Sequence, residues 1–193
     1  MSWIKYPVLA GFMLLLIIIS GCVTNLAKPL SNDAVPSRTN GVIAASIVSL
    51  SATGVAFVLH NDQTGVEYAL SLGEGPSKLQ NVVRKVIATE VPPGEYQIKQ
   101  WETFQSFAKA VYKKSDVTNA RLSAPFAVQP GQVIYLGDFL VQGVERYNFR
   151  SYSISWQIVP EPITVRGAHT LFTGKFPEYA NKGFSCRLCQ GIL

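Results

Sequence analysis

The sequence predicts an all-β domain, an antiparallel sandwich of about seven or eight strands. Three observations carry that prediction. Tyr152, Ile154, Trp156 and Ile158 alternate with Ser151, Ser153, Ser155 and Gln157. A period of two over eight residues means one buried face and one wet face, as in an antiparallel sheet. Short apolar runs are punctuated by Pro, Gly, Asn and Asp, which is the rhythm of strands and turns. No sustained helical period follows residue 41, and the absence of alternating βα units argues against a parallel doubly wound sheet.

The strands follow in order. Val42 to Leu50 is apolar and rich in small residues. Val55 to Leu59 is a short apolar run that ends at the turn signal His60-Asn61-Asp62. Val66 to Leu72 precedes the breaker Gly73-Glu74-Gly75-Pro76, and Val82 to Val91 runs into Pro92-Pro93-Gly94. Tyr96 and Ile98 then alternate with Gln97 and Lys99. Phe104, Phe107, Val111 and Tyr112 fit two or three helical turns and equally a long hairpin arm. Phe126 and Val128 alternate before Pro130-Gly131, and Val133 to Leu136 continues after it. Pro fixes φ and Gly accepts φ > 0, so Pro-Gly starts a tight turn.

Composition bounds the class. The chain has 193 residues, a formal charge of +5, three cysteines and 15% charged residues. That excludes a disulfide-rich mini-scaffold, a coiled coil and a highly charged disordered chain. The charge falls only to +4 if Lys5 is removed with a leader, so the mild basicity belongs to the rest of the chain.

Residues 1–21 read as a cleaved secretory signal. Lys5 is the only charge before an apolar run from Val8 to Ile19, broken only by Gly11. Twelve residues match a signal h-region, whereas a spanning helix needs about 20. The run ends in Ile19-Ser20-Gly21-Cys22, which resembles the lipobox of bacterial lipoproteins. The resemblance implies cleavage between Gly21 and Cys22, with Cys22 carrying the lipid and anchoring the chain to a membrane. Val23 follows where lipoproteins retained at the inner membrane often have Asp. That implies an outer-membrane anchor facing the periplasm in a host with two membranes. Residues 22–40, with two prolines and neither hydrophobic period, read as anchor and flexible tether.

Val91-Pro92-Pro93-Gly94-Glu95-Tyr96 and Val128-Gln129-Pro130-Gly131 with Tyr135 share a form, a Pro-Gly turn and then a strand with a tyrosine. Over residues 41–160 this resembles immunoglobulin/transthyretin-like and carboxypeptidase-regulatory-like sandwiches, and uncharacterised envelope lipoproteins built on such a domain. The remainder, 161–193, reads as a short irregular C-terminal extension.

Common catalytic signatures are missing: there is no Gly-x-Ser-x-Gly, His-Glu-x-x-His or phosphate-loop motif. His60 and His169 read as a turn and a loop histidine. Asp138, after Gly137 at the end of an apolar strand, is the first carboxylate to check, its alternative being a turn residue. Cys186-Arg187-Leu188-Cys189 admits three readings: a local disulfide, a redox pair, or half a zinc site with His169 and His60. Too few residues follow it for the strand–motif–helix context of a thioredoxin-like site, which favours the disulfide. Lys99, Lys109, Lys113, Lys114 and Arg121 are interleaved with Trp101, Phe104, Phe107 and Tyr112. In an exported protein this points to anionic lipid headgroups or cell-wall polymers rather than nucleic acid, or simply to lysines on a wet sheet face. The partner expected of the module as a whole is another envelope protein or an anionic envelope polymer. The expectation is a non-catalytic binding or structural module with no cofactor. The alternative is an envelope enzyme using Cys186/Cys189 or Asp138.

Overall fold

The computed structural model describes residues 25–49, 54–73, 84–105, 110–148 and 151–190. One sheet contains β1 (Asn25–Leu26), β3 (Gly54–Asn61), β4 (Glu67–Gly73), β6 (Gly94–Gln105) and β7 (Ala110–Asp116) in the order β1-β4-β3-β6-β7, with β8 (Phe126–Val128) beside β6. The other contains β2 (Gly41–Ser49), β5 (Arg84–Val91), β9 (Val133–Asn148) and β10 (Ser151–Glu161) in the order β10-β9-β2-β5, with β11 (Phe184–Cys186) beside β9. Two helices, α1 (Ala120–Ser123) and α2 (Val165–Lys175), and a 3-10 turn at Pro177–Tyr179 complete the described elements. The chain is all-β in character.

The two sheets share one core. Ile43, Ile47, Ile134, Leu136 and Phe139 of the second sheet meet Phe57, Leu59, Leu70, Leu72, Tyr96 and Ile98 of the first. Phe57 and Phe139 touch edge to face at 5.0 Å between ring centres. Each such side chain contributes about 1.5–3 kcal/mol by burial. The Pro130-Gly131 turn forms as expected. Gln132 N–H donates to the Gln129 carbonyl at 3.1 Å, and Gly131 has φ 71°. The 104–114 ambiguity resolves as a hairpin arm, with Phe104 opposite Val111.

A second, smaller core lies on the outer face of the β9 sheet. There α2 buries Ala168 and Phe172, four residues apart, over Val42, Ala44, Val133 and Tyr135. Thr164 caps the helix by accepting from Gly167 N–H at 3.1 Å. Phe176, Tyr179 and Phe184 extend this layer.

The structure corrects the sequence reading in three places. The C-terminal segment is not an irregular tail: α2 covers a sheet face, and β11 pairs with β9 at Val133–Tyr135. It fills the lane that β10 leaves at Glu161, opposite Asp138. The strands are not all antiparallel: β2 and β11 run parallel to β9, and β1 runs parallel to β4. Long intervening segments bring β2 and β9 together, so no tight hairpin fixes their direction. Finally, the tether does not hang free from Asn25 onward. β1 pairs with β4, Leu30 N–H donates to the Ala88 carbonyl at 2.8 Å, and Pro29 bridges Thr89. This segment runs from the β4 edge to the β5 edge and closes that lateral side, because unpaired edge groups offer it hydrogen bonds. The lipobox, Cys22, Val23 and residues 74–83 lie outside the described residues.

Gly137 positions a buried polar cluster on β9. Its φ of 141° accompanies a register shift in which Ala44 faces Tyr135 but Ser46 faces Asp138. The bulge turns Tyr135 and Asp138, three residues apart, to the same outer face. A Cβ at Gly137 would lie 3.0 Å from Leu188 Cβ, in a backbone region that L-residues avoid. Gly137→Ala is therefore expected to destabilise the fold by about 1–3 kcal/mol, read as a lower urea midpoint with an unchanged slope.

Candidate functional site

Asp138 is 2% exposed and its carboxylate is fully engaged. Oδ1 accepts from Ser46 Oγ and from Tyr135 Oη, the latter at 2.8 Å. Oδ2 pairs with Arg84 Nη1 at 2.6 Å, and Arg84 Nη2 reaches Glu161 Oε2 at 3.2 Å. Three strands thus meet at one carboxylate, and Glu161 of β10 joins the cluster through Arg84. Burial holds the Tyr135 hydroxyl well above the usual tyrosine range, with the Asp138 charge acting in the same direction. Tyr135 therefore remains a donor and not a base. Arranged this way, Asp138 ties β2, β5 and β9 together, with both of its oxygens occupied.

Cys186 and Cys189 form a disulfide with Cα atoms 5.5 Å apart. Cys189 is buried in the layer under α2, and Leu188 packs on the inter-sheet core. Between them Arg187 reaches across to the other sheet. Its guanidinium lies 4.5 Å from the Phe126 ring centre and donates to the Arg121 and Ala124 carbonyls at 2.7 and 2.6 Å. The arginine side chain clips the C-terminal segment to α1 and β8, an arrangement of charge-assisted hydrogen bonds and cation–π contact.

The zinc reading of Cys186 and Cys189 is overturned, since disulfide sulfurs offer no thiolate ligand. His169 is not in a loop: it sits on α2, edge-on to Phe184 at 5.0 Å. His60 is the penultimate residue of β3, with Asp62 at 3.8 Å and Glu67 at 3.9 Å. Among the described residues no group of three or more His, Cys, Asp or Glu comes together to hold a metal.

The basic and aromatic cluster separates by face. Lys99, Lys113 and Lys114 are exposed, whereas Trp101 turns inward onto the core. Arg121 Nη2 donates to the Arg187 carbonyl at 2.9 Å. Lys109 and Phe107 lie outside the described residues.

Glu102 is the feature that sequence reasoning missed. It is 4% exposed, opposite Lys114 on β7, and its Oε2 has no hydrogen-bond donor. Burial raises its carboxyl above the ordinary 4.5; Lys114, at 4.0 Å, opposes the shift and Glu67 adds to it. A raised native value favours the protonated fold. The stability is fully present below pH 4.5 and is lost as pH rises through the native value. Glu102→Gln is therefore expected to stabilise the protein at pH 7 and to be near neutral at pH 4, checked by urea midpoints at both.

A cleft of about 60 Å³ opens between the sheets on the lateral side opposite the N-terminal segment. Trp101, Phe57, Phe139, Ile158 and Pro160 form its apolar walls, and Asp116, Thr118 and Asn119 its polar rim. Leu122 of α1 closes the floor, placed there by Asn119, whose side chain caps α1 through Arg121 and Leu122 N–H. Apolar walls with a few polar groups at the mouth are the chemistry of a site for a small apolar group.

No family model and no curated protein matches the chain. Among solved structures, it is similar to a leucine-rich repeat protein from Bacteroides thetaiotaomicron, with 17% identity and a TM-score of 0.30. The match covers 55% of this chain and 14% of that one.

Proposed function

We infer that this protein is a lipid-anchored cell-envelope lipoprotein, cleaved between Gly21 and Cys22 and acylated on Cys22. Its domain is an immunoglobulin/transthyretin-like sandwich that acts as a non-catalytic binding module. With Val23 after the cysteine, the anchor belongs to the outer membrane, facing the periplasm, in a host with two membranes. The module engages another envelope protein or an anionic envelope polymer, not nucleic acid.

The observation that carries the binding reading is the aromatic cleft around Trp101. It is sized for one small apolar group, such as an aliphatic side chain, with Asp116 and Thr118 beside it. The enzyme alternative draws less support, because Asp138 is saturated by Ser46, Tyr135 and Arg84, and Cys186 is bonded to Cys189.

The test is photo-crosslinking in intact cells from a benzoyl-phenylalanine at exposed Thr118. Trp101→Ala should weaken capture about tenfold or more, as for a buried aromatic anchor. An unchanged crosslinking pattern in that variant, with the fold intact by circular dichroism, would refute the cleft as the binding site.

A further inference from the structure

We propose that the outer edge of β10 pairs antiparallel with β10 of a second copy of this chain. The other sheet edges are covered or charged. On β4, seven residues long, β1 pairs at Tyr68 and Ala69. The β5 edge is bridged at Thr89 by Pro29 and carries Arg84, Lys85 and Glu90. On β7, Lys113, Lys114 and Asp116 place charges along the strand. Short length, covering segments and lysines are the devices that stop edges from pairing.

β10 has none of these over most of its length. It is eleven residues long, and among the described residues no strand pairs on its outer side. Ser151 to Pro160 carry no charge. Val159 on its wet face is 39% exposed. Neutrality is what self-pairing in particular requires. Across a two-fold axis a charge near the centre meets its own copy, whereas pairing with a different chain permits opposite charges. The period of two meets the second requirement. In an antiparallel self-pair the Trp156 and Ile158 face continues the inner face of the partner, and the Gln157 and Val159 face continues the outer one. Pro160, lacking an N–H, ends the ladder before Glu161. The N-terminal segment closes the opposite lateral side, so an anchor there leaves β10 clear.

The test uses the full chain in native envelopes. With the two-fold axis near Gln157, the two Val159 Cα atoms stand about 14 Å apart, so Val159→Cys treated with a bis-maleimide of matching span should yield a crosslinked dimer, while Lys113→Cys on β7 and the wild-type chain should not. Adding Gln157→Lys to both copies should reduce the dimer about fivefold, since like charges across paired strands repel. Co-expressing Gln157→Lys and Gln157→Glu copies should restore it, which a folding defect would not allow. No dimer from Val159→Cys, an equal dimer from Lys113→Cys, insensitivity to Gln157→Lys, or an adduct only with a protein of another mass would each overturn the proposal.

Discussion

Asp138→Ala is expected to lower the unfolding free energy by about 3–5 kcal/mol, the range for removing one partner of a buried charged network. The loss comes mainly from what is left behind. Ser46 and Tyr135 are both 0% exposed, and both donate to the carboxylate. Without it, each hydroxyl is buried with its acceptor gone, at about 1–3 kcal/mol apiece. Arg84 contributes less, being 40% exposed and still able to reach Glu161. Ser46→Ala and Tyr135→Phe should each cost about 1–2 kcal/mol, and either combined with Asp138→Ala should cost less than the sum. The measurement is chemical denaturation of the four variants. For a domain of this size the Asp138→Ala loss corresponds to a fall in Tm of roughly 10 °C. A catalytic Asp138 would give the opposite pattern, an unmoved Tm with lost function.

The strand framework was largely legible because its punctuation is local. Asn61-Asp62 ends β3, Pro92-Pro93-Gly94 joins β5 to β6, and Pro130-Gly131 precedes β9. The alternation from Tyr152 to Ile158 marked β10 because a single register serves its whole length. Two kinds of feature escaped. The helix α2 carries Gly167 and Gly174 and buries only Ala168 and Phe172, so it shows one i,i+4 pair and no stripe. Trp101 was read with the neighbouring lysines because a bulge hides its face. Leu59 pairs with Ile98 and Val58 with Gln100, so the inward residues Ile98 and Trp101 stand three apart and break the period of two. The Asp138 cluster was half visible. An isolated glycine in an apolar strand is a bulge signal, and Gly137 was there to be read. Its partners Ser46, Arg84 and Glu161 come from three other strands, and no local pattern names them.

Cys22→Ala is expected to abolish incorporation of a labelled fatty acid and to move the protein out of the detergent phase on partitioning. Chain chemistry sets the size of the effect. Each buried CH₂ contributes about 0.8 kcal/mol, one acyl chain holds only marginally, and the two or three chains of a lipidated cysteine hold durably. Losing Cys22 removes them all at once, so the readout is close to all or none. The adherent N-terminal segment sharpens the consequence. Only Val23 and Thr24 separate Cys22 from β1, and three residues of chain span at most about 10 Å. An anchored domain is then held against the bilayer rather than swung from a tether that reaches residue 40. A photoactivatable lipid in the periplasmic leaflet of the outer membrane should therefore label residues between the β4 and β5 edges, such as Lys28, and not Thr118 across the molecule. Labelling of both positions alike would mean that residues 25–40 leave the sheet edges in the membrane, and fatty-acid labelling that survives Cys22→Ala would remove Cys22 as the anchor.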